Sequence, residues 1–224
     1  MGDLVDAIRT TLRDHADPRL APGQQAYMKS SMPFLGVRVP KARRIARAAA
    51  RSSPPTDLEA LESAIRRLWD EATYREERYA ATELTALRIA RGRLELLPLL
   101  EHMAVTGAWW DHVDEVAHRV GTVLAVHPDE VEPVVRRWID SDDLWLRRVA
   151  ILCQLDRKAD TDLVLLTDAI DSAVDSPEFF LRKAIGWALR QHAKVDPGWV
   201  RDFVAEREHV LSGLSRREAL KHVE

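Results

Sequence analysis

Two tryptophans and two aspartates crowd into one short segment, Trp109-Trp110-Asp111-His112-Val113-Asp114. On a helix, Trp110 and Asp114 are four residues apart and share a face. Trp109 then projects about 100° away from Trp110, so one indole can serve the core while the other stands beside a carboxylate. Asp111 falls early in such a helix, where a carboxylate suits capping or the helix dipole. An indole face beside a carboxylate suits a cation, since the ring quadrupole and the negative charge both attract it. Hydrolysis of an N-glycosidic bond passes through a sugar oxocarbenium ion, an alkylated purine is already cationic, and a carboxylate can also orient the attacking water. The segment is therefore compatible with such chemistry, although its residues alone favour the plainer account of buried tryptophans beside a surface aspartate.

Other chemistries lack their residues. The eight histidines offer no evident metal-ligand set, and there is no Cys-x-x-Cys. Neither a phosphate loop nor a Gly-x-Ser-x-Gly elbow occurs. The single cysteine, Cys153, lies in an apolar helical run and is expected in the core; one cysteine also fits a reducing compartment. No metal site is expected from these residues.

The positioning elements read as helices. Leu58, Leu61, Ile65 and Leu68 recur on one helical face of residues 57–69, and 144–155 and 179–193 read the same way. Pro128, Pro177 and Pro197 mark helix starts, and Ser52-Ser53-Pro54-Pro55 marks a loop. About a dozen short helices result, with no alternating β-branched run. Shifting the chain by 35 residues lays Ile139-Asp140-Ser141 over Val174-Asp175-Ser176, and Leu144-Trp145-Leu146-Arg147-Arg148 over Phe179-Phe180-Leu181-Arg182-Lys183. A period of this length with helical content predicts an all-α fold, a curved α-solenoid; an irregular helical bundle is the alternative. One domain spanning residues 1–224 is expected.

Of 224 residues, 46% are hydrophobic and 31% charged, and no stretch approaches the roughly 20 apolar residues of a membrane span. The amino-terminal residues carry early acids, which argues against a secretory signal and for a cytoplasmic protein. The net charge of −3 hides polarity: Lys29 to Arg51 holds seven basic residues and no acid, and Phe179 to Val195 holds Arg182, Lys183, Arg190 and Lys194 with no acid. Such runs are either solvated helix faces or phosphate-binding surface.

The order and spacing of several pieces resemble the AlkD family of alkylpurine DNA glycosylases, a resemblance that implies an all-α superhelix of HEAT-like repeats and no metal or organic cofactor. The pieces are Tyr27-Met28-Lys29 with Phe34-Leu35-Gly36-Val37, Leu68-Trp69-Asp70, Trp109 to Asp114, Trp138 to Arg148, Phe179 to Trp187, and Leu214 to Ala219. The resemblance implies that Asp114 is the catalytic carboxylate, that Trp110 and Trp187 flank the lesion nucleotide, and that Arg148 contacts the DNA backbone. It implies excision of N3- and N7-alkylated purines from duplex DNA without extruding the base, leaving an abasic site. Lys158 and Arg190 fall in segments matching the family's DNA-facing side; Tyr27, Lys29, Arg38, Lys183 and Lys194 are further candidate DNA contacts. A monomer working on duplex DNA, and associated with the nucleoid when bound, is expected. A non-catalytic module gripping damaged DNA and a protein-interaction scaffold are the competing readings.

Overall fold

The computed structural model describes residues 3–223. Among these, thirteen α-helices and no strand occur: α1 (Leu4–Asp14), α2 (Ala21–Met28), α3 (Val39–Ser52), α4 (Leu58–Asp70), α5 (Arg75–Leu84), α6 (Leu97–Gly107), α7 (Trp110–Val126), α8 (Pro128–Ile139), α9 (Leu144–Leu152), α10 (Leu163–Asp171), α11 (Phe179–His192), α12 (Pro197–Glu206) and α13 (Gly213–Ala219). The repeat is visible in where helices begin. α5, α7, α9, α11 and α13 start at Arg75, Trp110, Leu144, Phe179 and Gly213, successive intervals of 35, 34, 35 and 34 residues. The fold is a helical-repeat fold, as the 35-residue register predicts.

Local chemistry sets the starts. Asp57, Asp143, Asp162 and Asp196 cap α4, α9, α10 and α12, each carboxylate accepting from backbone N–H groups of the first turn. Each such cap stabilises its helix by about 1 kcal/mol. Pro128 and Pro197 occupy the first turn of α8 and α12. Pro177 instead precedes the cap residue Glu178 of α11. The loop after α3 falls where Ser52-Ser53-Pro54-Pro55 places it.

The chain divides into two compact units, Met1–Leu99 and Leu100–Glu224. In the first, α1, α3, α4 and α5 pack together around Ile8, Leu12, Ala46, Leu61, Ile65, Leu68 and Trp69. Here α5 departs from simple patterning: its Glu76, Glu77 and Glu83 are buried despite their charge. Arg9 Nε donates to Glu77 at 2.7 Å, and Arg47 Nη1 to Glu83 at 2.7 Å. Buried charges persist only when paired in this way.

In the second unit, α7 packs on α8 and α9, α9 also on α10 and α11, and α11 on α12 and α13. Val113, Val116, Ala117 and Val120 of α7, Val149 and Leu152 of α9, and Leu181, Ala184, Ile185 and Leu189 of α11 supply much of this core. Cys153 is buried among them; burial pushes its thiol up to about 12, so it stays protonated. The α7–α9 approach depends on Gly121. A Cβ there would lie 1.9 Å from the Cys153 carbonyl oxygen. Gly121→Ala is expected to cost about 3 kcal/mol, the upper end for overpacking, because backbone cannot move aside as a side chain can. Urea unfolding checks this; a loss below about 1 kcal/mol would show that the helices separate freely.

Candidate active site

The site lies in the second unit. Ala108, at φ 41°, turns the chain out of α6, and Trp109 takes the extended N-cap position before α7. Trp109 is therefore not a helical residue, and its direction follows the incoming chain. It packs in an aromatic cluster with Trp145 (ring centroids 6.1 Å apart) and Phe180 (5.3 Å). Trp110 opens the helix and is half-buried, and Asp111 lies in the first turn. Asp114 follows Trp110 by one turn on the same face.

Asp114 is held firmly. Arg148 of α9 donates from Nε to Oδ1 at 2.7 Å and from Nη2 to Oδ2 at 3.0 Å, a two-pronged pair. The Asp114 side chain keeps 16% of its exposure and the Arg148 side chain 5%. Arg148 also donates from Nη1 to the Phe180 carbonyl, and its guanidinium lies 5.9 Å from the Phe180 ring centroid. Burial pushes the Asp114 carboxyl above its usual value of 3.8, against the opposing hydrogen bonds and charge of Arg148 and the weaker charge of His118. A carboxyl held in low dielectric beside one fixed cation exerts a strong local field on any further positive charge.

His118 extends the face by another turn. Its Nδ1 lies 2.7 Å from Asp156 Oδ2, and its ring meets Trp187 of α11 edge-on, with centroids 6.5 Å apart. Trp110, Asp114 and His118 thus run along one stripe of α7, with Arg148 against Asp114 and Trp187 against His118. The sequence reading of the site lacks His118 and Asp156. The four-residue step from Asp114 to His118 was a legible signal for the first; the second is 38 residues further along and had none.

The expected DNA contacts fall in several settings. Arg148 is 4% exposed, and its donors reach Asp114 and Phe180 rather than open surface. Lys158, at φ 54°, and Lys194 are exposed and line one cavity of about 350 Å³ together with Asp156, Gln191 and His192. Arg190 and Lys183 both pair with Glu218 of α13, Lys183 at 3.3 Å. The acid-free run on α11 is thus partly neutralised by a carboxylate from another repeat. In the first unit, Tyr27 is 76% exposed at the end of α2, and Lys29 follows it at φ 50°. Arg38, just before α3, is exposed, while Arg43 and Arg47 are drawn to Glu83.

Among the described residues, no group of three or more histidine, cysteine, aspartate or glutamate side chains is placed to hold a metal ion. No described helix is long and apolar enough to cross a membrane.

The fold is that of a helical-repeat protein, and its site is a semi-buried, arginine-clamped aspartate on a helix face shared with Trp110. Residues 8–223 match the family model described as DNA alkylation repair enzyme. The chain belongs to that family, and its role is in the repair of DNA alkylation. It is also similar to a solved structure described as a predicted DNA alkylation repair enzyme from Enterococcus faecalis, at 32% identity and a TM-score of 0.81, covering 93% of this chain and 96% of that one. No curated protein matches the chain.

Proposed function

We propose that this protein is a monofunctional DNA glycosylase that hydrolyses the N-glycosidic bond of cationic N3- and N7-alkylated purines in duplex DNA. The observation that carries the proposal is Asp114: a carboxylate mostly removed from water, locked by Arg148, on the α7 face that also presents Trp110. As the bond to the purine lengthens, positive charge moves onto the deoxyribose. A preorganised carboxylate in low dielectric stabilises that charge without reorganising. The indoles of Trp110 and Trp187 bear on the sugar through their negative ring faces. The alkylated purine leaves as a neutral base, so no acid is needed to protonate it. The lesion stays outside any base-sized pocket, and the product is an abasic site.

The phosphates are the second requirement. Exposed Tyr27, Lys29, Lys158 and Lys194 are available as backbone contacts, and each phosphate neutralised steepens the salt dependence of binding. Base release from a duplex carrying one N7-methylguanine tests the reading. Release well above the spontaneous rate at low salt, declining as salt rises, is expected. Retained binding with no release would instead make Trp110 and Trp187 the recognition surface of a damage-binding module.

A further inference from the structure

We propose that His118 is the general base of this hydrolysis, taking a proton from the attacking water while Asp156 holds its ring. The inference rests on the glycosylase reading above.

His118 stands one turn beyond Asp114 on the same face of α7, and its ring touches the edge of Trp187. Its side chain is 27% exposed, so the ring is within reach of water. The 2.7 Å contact between Nδ1 and Asp156 Oδ2 selects the tautomer of the uncharged ring. Nδ1–H donates to the carboxylate, which leaves the Nε2 lone pair free to accept. A carboxylate that orients an imidazole and stabilises its protonated form is the arrangement of a general base.

The chemistry assigns the base to this residue rather than to Asp114. Both Asp114 oxygens already accept from Arg148, which commits them to holding charge opposite the sugar and leaves the proton to a neighbouring acceptor. The departing purine needs no proton, so the water's proton is the one that must be moved. As the water oxygen bonds to the anomeric carbon, the carbon–nitrogen bond breaks and its electron pair leaves with the purine. One water O–H bond breaks and its proton passes to His118 Nε2. The imidazolium, paired with Asp156, then returns the proton to solvent through its exposed edge.

The charged groups around His118 are accounted for. On α7 they are Asp111, Asp114 and the mutually paired Glu115 and Arg119. From α9 and the turn after it come Arg148 and Asp156, with Arg147 held by the Ser172 carbonyl and Arg157 by the Asp160 carbonyl. On α8, Arg136 is paired with Glu132 and Asp168, and Asp129, Glu130 and Arg137 complete the charged set of that helix. On α11, Lys183 and Arg190 are paired with Glu218, and Arg182 is the remaining cation.

The test is single-turnover base release from N7-methylguanine duplex, followed from mildly acid to mildly alkaline pH. His118→Gln should lose about 10²-fold at the alkaline end, with DNA affinity unchanged. Its pH profile should differ in shape from that of the wild type, because the proposed proton acceptor is gone. Asp156→Asn, at a side chain 74% exposed and so harmless to folding, should give a smaller loss and a displaced profile. Added imidazole should partly restore His118→Ala, which a merely structural histidine would not allow. An active wild type, an inactive Asp114→Asn, and His118→Gln and Asp156→Asn both at wild-type rate and pH profile would overturn this inference alone. No release by the wild type would overturn the glycosylase reading and the inference with it.

Discussion

Asp114→Asn is expected to lower single-turnover base release at least 10²-fold while leaving DNA affinity nearly intact. The size follows from what is removed: one preorganised charge in a site of low dielectric, an effect of about 10² to 10³ in rate. The amide keeps the shape and one acceptor for Arg148, so the α7–α9 contact survives in part. It cannot stabilise a growing positive charge on the sugar. Binding rests on phosphate contacts elsewhere and should keep its salt dependence. The wild type should also lose activity in acid earlier than an ordinary aspartate would dictate. Burial raises the folded carboxyl, so the ionised form the reaction needs is depleted as pH falls through a value above 3.8. Release by Asp114→Asn at the wild-type rate would remove Asp114 from the mechanism.

Glu76→Ala should be the most destabilising single truncation in the first unit, by about 3 kcal/mol or more. The Glu76 side chain is wholly buried. Its Oε1 accepts from the backbone N–H groups of Leu35 (3.1 Å), Gly36 (2.9 Å) and Val37 (3.0 Å). Alanine orphans three buried donors, each costing about 1–3 kcal/mol. The loop is closely fitted as well: Gly36 sits at φ 90° and a Cβ there would lie 2.0 Å from the Asp17 carbonyl oxygen, so only glycine fits. Glu76→Gln keeps an oxygen for the same three donors and should cost far less. The sign with pH is also set. Burial raises the Glu76 carboxyl above its ordinary value despite these hydrogen bonds. Its contribution to stability is therefore full below the unfolded pKa and declines as pH rises through the folded one. Glu76→Gln should remove that decline. Urea unfolding across pH reads both effects, and an alanine variant within about 1 kcal/mol of wild type would refute the account.

The fold was largely legible in the chain because its signals are local and repeated. Helical periodicity over 57–69 appears as α4, capped by Asp57. The 35-residue register appears as evenly spaced helix starts. Cys153 reads as core and lies in it. α5 shows where patterning fails: Arg-Glu-Glu-Arg-Tyr looks like a solvated face, yet Glu76, Glu77 and Glu83 are buried. Their partners, Leu35 to Val37, Arg9 and Arg47, lie 36 to 68 residues away, beyond the reach of any helical spacing.

The site divides in the same way. The sequence by itself determined that Trp110 and Asp114 share a helix face, since a four-residue step fixes this wherever the helix sits. It also determined the repeat and the family resemblance. Only the tertiary structure decided that Arg148 locks Asp114 and is itself buried. It alone showed that Trp109 caps its helix rather than continuing it, and that Glu218 holds Lys183 and Arg190. The reason is physical. Periodicity specifies which residues share a face, whereas the charge and burial of a side chain depend on the neighbouring repeats that close over it.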